Sequence, residues 1–189
     1  MYEHDEAAAA FTRAVDRGDV EALRDLFRNH PEAAELLDVP LFPFEAPALV
    51  HAAGRRDGPM LDALLDLGAD IDARSTWTNG PYSALHRLVD GATAESLDLA
   101  EHLVRRGASV DLHAAAGLGD MDRLRALLDE GPDRVSEAGP DGATPLHLAR
   151  DPHVAALLLD RGADIDRRCV DHRSTPAMWA TGRREEVLR

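Results

Sequence analysis

The residue types best suited to chemistry stand close together near the end of the chain, as Cys169, Asp171 and His172. Cysteine and histidine are the residue types of a thiol nucleophile and its general base. Such a site also needs something to exclude water and something to hold an oxyanion. These residues fall on a predicted exposed turn, which offers neither. We therefore expect no catalytic residue here, and an enzyme is the weakest of the functions that we consider.

The candidates for a metal site are equally incomplete. His147 and His153 lack the spacing of a zinc site, and the other histidines are scattered along the sequence. The Asp-x-Asp pairs within Gly68–Asp72 and Gly162–Asp166 lack the glycine and the distal glutamate of a calcium loop. We expect these aspartates to solvate a turn, and we expect no metal and no cofactor.

Repetition is the main organising feature of the chain. Gly68–Asp72 (GADID) recurs letter for letter at Gly162–Asp166, and Gly107–Asp111 (GASVD) keeps the pattern. A doublet of leucine-like residues precedes each copy, and a glycine after such a doublet ends a helix. Repetition at a period of about 33 residues is typical of a solenoid of stacked units. A solenoid usually acts as a surface that holds another molecule.

A second repeated phrase lies upstream of the first, most clearly at Asp141–Ala149 (DGATPLHLA). Thr144 can cap a helix, and Pro145 then occupies the first helical position, where its missing N–H has no cost. With the leucine pair and the Gly-Ala-Asp phrase that follow, this segment resembles the ankyrin repeat. The resemblance covers roughly residues 10 to 189 and implies an all-α fold, a solenoid of stacked helix-turn-helix units with short inter-repeat hairpin turns. It also implies that His86 and His147 are structural residues that hydrogen-bond nearby turns.

The repeats predict a single ankyrin domain over residues 7–189, after an N-terminal tail at residues 1–6. At an offset of 101 residues, residues 112–138 copy the opening of the array, so that two sub-arrays, 7–111 and 112–189, are expected on one stack. The last helix is expected to begin near Arg184 and to end after about one turn. The approximate repeats are 7–37, 38–74, 75–111, 112–138, 139–169 and a partial one at 170–189.

Two insertions break the period. The proline segment, Asp38–Pro47, contains three prolines, which exclude a helix, and two phenylalanines that either fold back to seal an edge or contact a partner. The second insertion, Ala73–Tyr82, occupies an inter-repeat finger, and Asn79-Gly80 is a hairpin turn signal. Trp77 in this finger is either an exposed recognition residue or a residue that packs on the neighbouring repeat.

The resemblance also indicates where a partner would bind, because ankyrin repeats generally hold partners by finger tips and by the inner face of the first helices. Carried over by position, the inner-face candidates are Arg87, Arg150 and Trp179. The finger candidates are Arg74, Trp77, Tyr82, Val170, Asp171, His172 and Arg173.

The composition of the chain restricts the kinds of partner that it could bind. The net charge is −14, which disfavours nucleic acid and an anionic membrane surface and permits a basic protein partner. One cysteine rules out an internal disulfide framework, and no apolar stretch approaches the length of a membrane span. With an acidic N-terminus unlike that of a signal peptide, these features favour the cytoplasm. All 21 basic residues are arginine, which we interpret as the bias of a GC-rich, bacterial genome.

The sequence therefore predicts a non-catalytic protein-protein interaction module that binds a protein partner through a concave face and finger turns. The alternative is a regulator of the inhibitor or immunity type, which would mask a basic partner such as a toxin or a nucleic-acid enzyme. Acidic residues clustered on the concave face would favour the alternative.

Overall fold

A computed structural model describes residues 2–78 and 80–187 of the protein. The described residues form helices joined by turns, and their only extended pairings are two isolated antiparallel bridges, Phe42 with Ala46 and Arg74 with Ser83. None of the described helices is long and apolar enough to cross a membrane. The helices are α1 Tyr2–Arg17, α2 Val20–Asn29, α3 Ala48–Gly54, α4 Gly58–Asp66, α5 Ala84–Val89, α6 Ala94–Arg105, α7 Leu112–Leu118, α8 Met121–Glu130, α9 Pro145–Leu148, α10 Pro152–Asp160 and α11 Pro176–Val187.

The chain forms two compact units, Met1–Trp77 with Tyr82–Leu88, and Thr78–Pro81 with Val89–Arg189. In the first unit α1 packs on α2 and α3 on α4, and the second pair stacks on the first. In the second unit α7 packs on α8 and α9 on α10, while α9 also contacts both α7 and α11. Each unit is thus a stack of helix pairs. The single stack over residues 7–189 stays a prediction.

Aliphatic side chains fill each core, because helices this short are marginal unless they bury one face. In the first unit Leu23, Leu49 and Leu64 are fully buried, and in the second Leu112 and Leu158 are. Phe11 is the one fully buried aromatic residue of the described chain. The low aromatic content of the sequence therefore corresponds to thin helices packed by leucine and alanine.

The expected internal copy is visible in the structure. Gly18 and Gly119 both adopt positive φ, 67° and 79°, before the second helix of their pair. Asp19 and Asp120 then cap α2 and α8 by accepting backbone N–H bonds of 2.9 and 3.0 Å. Each second helix is followed by a short 3-10 helix that begins with a proline, Pro31–Leu36 in one copy and Pro132–Ser136 in the other. Residues that lie 101 positions apart therefore have the same structural role in the two copies.

The two ends of the chain differ from expectation. Helix α1 begins at Tyr2, inside the segment that we assigned to a tail. At the other end α11 runs without a break from Pro176 to Val187, so the prediction of a separate last helix beginning near Arg184 was wrong. Glycine inside a helix costs only about 1 kcal/mol, and Gly182 therefore does not have to end it.

Candidate protein-binding site

The second insertion forms a hairpin, which we call the finger (residues 74–83). Its base is the bridge between Arg74 and Ser83. The Ser75 N–H donates to the Tyr82 carbonyl at 2.8 Å, and the Tyr82 N–H donates to Ser75 Oγ at 2.9 Å. Asn79 of the predicted turn lies outside the described residues, while Gly80 has a φ of +119° that suits such a turn. The base of the finger is therefore fixed by hydrogen bonds.

The proline segment forms a tighter hairpin. Phe42 and Ala46 exchange backbone hydrogen bonds of 3.1 and 3.2 Å, and no helix forms between Asp38 and Pro47. The two residues before Ala46 both adopt positive φ, 63° at Phe44 and 51° at Glu45. Bulky side chains rarely adopt this left-handed conformation. The hairpin thus holds Phe44 in a conformation that its own side chain disfavours.

The two phenylalanines of this segment have different environments. Phe42 is 6% exposed, lies edge-on to Phe11 at 6.2 Å and stacks on the His51 ring at 4.6 Å between ring centroids. Phe44 is 58% exposed. Sealing of the first unit is therefore the role of Phe42, and Phe44 is left at the surface.

The proline segment is tied at one end to the turn before the second insertion and at the other end to the finger. The Asp70 N–H donates to Asp38 Oδ1 at 3.1 Å. The Thr76 N–H donates to the Glu45 carbonyl at 3.1 Å, and its hydroxyl donates to Glu45 Oε2 at 2.9 Å. These bonds hold the finger and the proline segment side by side.

This arrangement brings Trp77 against Phe44. Their ring centroids lie 5.5 Å apart at an interplanar angle of 84°, an edge-to-face contact. Trp77 is half-buried and Phe44 is mostly exposed, so the pair presents aromatic surface to solvent. We call these two residues the Phe44–Trp77 pair.

Tyr82 and Arg87 form a second contact in the same unit. Tyr82 is only 7% exposed, unlike the exposed finger residue that we expected, because it lies at the base of the finger rather than at its tip. The Arg87 guanidinium lies 5.3 Å from the centre of the Tyr82 ring and beside Gly54, whose missing side chain leaves room for it. Tyr82 can therefore support Arg87 more readily than it can contact a partner. Arg74 is exposed, as expected.

A half-buried histidine, His51, lies beneath the proline segment. Asp16 Oδ1 is 2.9 Å from His51 Nε2, which is close enough for charge attraction, although the direction is poor for a hydrogen bond. Burial lowers the pKa of His51 below its usual value of 6.5, helped by Arg55 and Arg87 and opposed by Asp16. The ring that stacks on Phe42 is thus favoured in its neutral form.

Comparison with known proteins identifies the repeats. The family model for ankyrin repeats, in three copies, matches residues 85–169. The chain contains ankyrin repeats. Two BTB/POZ domain and ankyrin repeat-containing proteins, NBCL from Lupinus angustifolius and BOP from Lupinus luteus, are each 32% identical to it over 111 residues. Each alignment covers 54% of this chain and 22% of the relative, so the match spans about a fifth of the length of these relatives.

A solved structure shares the fold of this ankyrin-repeat chain. It is a chain of the complex in which the predatory endopeptidase Bd0816 from Bdellovibrio bacteriovorus is bound to the immunity protein Bd3460. The TM-score is 0.50 at 20% identity, over 94% of this chain and 93% of that one. The expected ankyrin family and all-α solenoid class are thereby confirmed.

The histidines of the ankyrin phrase are structural in both units. In the second unit His147 Nδ1 accepts from the Thr144 N–H at 3.0 Å, which places its ring proton on Nε2, and Nε2 donates to the Ser174 carbonyl at 3.0 Å. In the first unit the Ser83 N–H donates to His86 Nδ1 at 3.2 Å. His147 is 1% exposed and His86 is 3% exposed. Each histidine therefore holds the turn before its helix.

The remaining candidates lie in the second unit. Arg150, His172 and Arg173 are exposed, and Trp179 is half-buried. The Trp179 ring makes edge contacts with His147 at 5.7 Å and with His172 at 5.4 Å. The structure thus joins His172 to Trp179, whereas it brings Arg150 to the surface without a contact to either of them.

The burial of Cys169 contradicts the hypothesis of a reactive thiol. Cys169 is 2% exposed, which contradicts the exposed turn that we expected for it. Its N–H donates to the Ser174 carbonyl at 3.0 Å, and the next N–H, of Val170, donates to the Asp141 carbonyl at 2.8 Å. These bonds fold the cysteine inward, where a thiol is unreactive. Among the described residues no group of three or more His, Cys, Asp or Glu side chains is placed to hold a metal ion.

Sequence reasoning missed the contact that completes the candidate site. It singled out Trp77, and it left Phe44 between sealing and recognition. No local signal separates the two phenylalanines, because Pro43 lies between them and neither belongs to a helix or strand pattern. The partner of Trp77 was not predictable, because it depends on where two loops meet.

Proposed function

We propose that this chain is a non-catalytic ankyrin-repeat module that binds a protein partner, with the finger around Trp77 as its main contact. The observation that supports this proposal is the Phe44–Trp77 pair. Exposed aromatic residues dominate the energetics of protein interfaces. Hydrogen bonds fix the two hairpins that carry these rings, so a partner binds with little ordering cost.

Charged residues of the same unit complete the proposed surface. Arg74 is exposed at the base of the finger, and Arg87 is held over Tyr82 on α5. In the second unit Arg150, His172, Arg173 and Trp179 remain proposed contacts of lower rank. Trp179 already packs against a structural histidine, which gives it a role without a partner.

The proposed partner is a protein rather than nucleic acid or a membrane, and we place it in the cytoplasm. A net charge of −14 repels phosphate backbones and anionic lipid surfaces. The single cysteine is buried and needs no oxidising compartment.

The test is affinity capture from a lysate of the organism that encodes the chain, read by mass spectrometry. Wild type is compared with Trp77→Ala and with Trp179→Ala, each shown to be folded by circular dichroism. Leu159→Ala is the matched control, because Leu159 is an exposed apolar residue of the second unit, 39% exposed. A protein captured by wild type, Trp179→Ala and Leu159→Ala but not by Trp77→Ala supports the proposal. Equal capture by all four chains contradicts the proposed site.

A second candidate function is an inhibitor or immunity-type regulator that masks a basic protein. The acidity of the chain favours it, and so does the solved neighbour, which comes from a complex of an endopeptidase with an immunity protein. Under this alternative a captured partner is a basic enzyme whose activity falls on stoichiometric addition of the chain. A captured partner whose activity is unchanged by the chain argues for a scaffold instead.

A further inference from the structure

We propose that the Phe44–Trp77 pair is a docking site for a basic amphipathic segment of the partner, with an aromatic or aliphatic anchor flanked by arginine or lysine. This inference rests on the proposed function and specifies the chemistry of its site. It stands on three observations: the exposure of Phe44, the way in which the turn is held, and the charges around it.

Phe44 is exposed at a cost to its own backbone. Its φ of 63° and the 51° of Glu45 are left-handed values that glycine, asparagine or aspartate tolerate far better than phenylalanine. A residue that serves only to link two parts of the chain would not need a large aromatic ring there, 58% exposed. Strained positions of this kind concentrate at binding sites, where the surrounding structure enforces them.

The surrounding structure does enforce it. The Phe42–Ala46 bridge closes the hairpin from below, and Thr76 holds Glu45 through both its N–H and its hydroxyl. The same bonds bring Trp77 beside Phe44. Two neighbouring apolar residues of the proline segment, Val39 and Leu41, are also exposed, by 36% and 38%. The segment thus presents a short apolar surface with the aromatic pair at one end.

Carboxylates dominate the charge on both sides of this surface. On the two tied stretches, residues 38–46 and 70–77, the only basic residue is Arg74. Asp38 and Asp70 are exposed where the stretches are joined at one end, and Glu45 is exposed where they are joined at the other. The acidic residues of the two stretches are Asp38, Glu45, Asp70 and Asp72.

These charges select the occupant. An acidic partner would meet repulsion from the carboxylates, and a purely apolar one would leave them desolvated without compensation. Arginine or lysine satisfies them, and an arginine can also lie over an aromatic face. An anchor side chain between such cations would bury the exposed face of Phe44.

The test uses a phage-displayed library of random short peptides selected on the immobilised wild-type protein. We expect enriched peptides with an aromatic or aliphatic residue next to arginine or lysine. The enriched peptides are then synthesised, and their dissociation constants are measured by fluorescence anisotropy against single variants. Phe44→Asn and Trp77→Ala should weaken binding at least about tenfold, as at other interface hot spots.

One further variant separates the contribution of charge from that of the apolar anchor, and a second serves as a control. Glu45→Gln keeps an oxygen that can accept from the Thr76 hydroxyl but removes the charge, so it should weaken binding by about two- to fivefold. Added salt should also weaken wild-type binding, because it screens the attraction between the carboxylates and the basic peptide. Ile165→Asn, in the second unit, is the control for Phe44→Asn, because Ile165 is 54% exposed. It should leave binding unchanged.

Each other outcome overturns the inference in an identifiable way. Enriched peptides that are acidic, or that bind Phe44→Asn as well as wild type, refute the docking site and leave the proposed protein-binding function standing. Failure to enrich any peptide also refutes it, since a preformed hot spot captures short segments. In that case the lysate capture with Trp77→Ala decides the proposed function by itself.

Discussion

Each unit of the molecule holds one tryptophan in an edge-to-face contact, and the two contacts are almost identical in geometry. Trp77 meets Phe44 at 5.5 Å and 84°, and Trp179 meets His147 at 5.7 Å and 85°. Both tryptophans are half-buried. The geometry of the contact therefore does not tell a structural aromatic residue from a binding one.

The difference lies in what the partner ring does for the fold. His147 is 1% exposed, and its two nitrogens join the turn at Thr144 to the Ser174 carbonyl. Phe44 is 58% exposed, and its ring contacts the ring of Trp77 at the surface. We therefore assign Trp179 mainly to the fold and Trp77 mainly to recognition. Four predictions test this assignment, in order of decreasing effect.

The largest effect is expected at Phe42, the buried phenylalanine beneath Phe44. Phe42→Ala should lower the free energy of unfolding by about 3–5 kcal/mol, because it removes a ring packed on Phe11 and His51. The measurement is urea denaturation followed by circular dichroism. Phe44→Asn is the comparison in the same hairpin and should cause no loss of stability, since asparagine suits positive φ. If the two variants lose equal stability, Phe44 is a sealing residue and the distinction collapses.

The next effect concerns the histidine beneath Trp179. His147→Ala should lower the free energy of unfolding by about 2–4 kcal/mol, because the Thr144 N–H and the Ser174 carbonyl lose their buried partner. Differential scanning calorimetry measures the change. His153→Ala is the control, because His153 is exposed, and it should stay within about 0.5 kcal/mol of wild type. A His147→Ala protein as stable as wild type would show that the histidine is not structural.

A smaller effect compares the tryptophans directly. Trp179→Ala should lower the free energy of unfolding by about 1–2 kcal/mol, through the lost contacts with His147 and His172. Trp77→Ala should lower it by less, about 1 kcal/mol or under, because its aromatic partner Phe44 is itself exposed. Peptide binding should follow the opposite order. A Trp77→Ala protein that unfolds more easily than Trp179→Ala would reverse our assignment.

The sequence carried most of the information about the repeats, because their signals are local. A cap such as Asp19 or Asp120 acts on a backbone N–H three residues away, so its role can be inferred without knowing the rest of the fold. The contact between Thr144 and His147 is equally local, although the structural role of His147 was implied by the resemblance to the ankyrin repeat and its second bond, to Ser174, is not local. These features were expected, and the structure contains them.

The candidate site depended on contacts that are not local. Glu45 and Thr76 are 31 residues apart, and Asp38 and Asp70 are 32 apart, so neither pairing can be deduced from the pattern of one segment. Burial at loop residues was hard to infer for the same reason. Cys169 is buried where its own turn folds back on Ser174, and Tyr82 lies beneath Arg87, whereas their own segments are polar and predict exposure.

The smallest predicted effect is a dependence of stability on pH that arises under the proline segment. His51 has its pKa lowered, first by burial and then by Arg55 and Arg87, while Asp16 opposes the shift. The unfolded chain therefore binds the proton more readily than the folded chain. The contribution of His51 to stability is complete above its unfolded pKa of about 6.5, and it declines as the pH falls through 6.5 toward the folded pKa.

The His51→Gln variant tests this sign, because glutamine does not titrate. Denaturant melts of wild type and variant between about pH 7.5 and 5 should diverge. Wild type should lose stability faster as the pH falls, and the difference in the free energy of unfolding should level off below the folded pKa.

The Phe44–Trp77 pair sharpens the comparison, since the proline segment rests on His51 through Phe42, whereas Trp179 lies in the other unit. Loosening of this segment at low pH should quench or shift the fluorescence of Trp77, measured in a Trp179→Phe background. The fluorescence of Trp179, measured in a Trp77→Phe background, should not change. A wild-type slope equal to that of His51→Gln would mean that the Asp16 carboxylate fully offsets the burial of the ring.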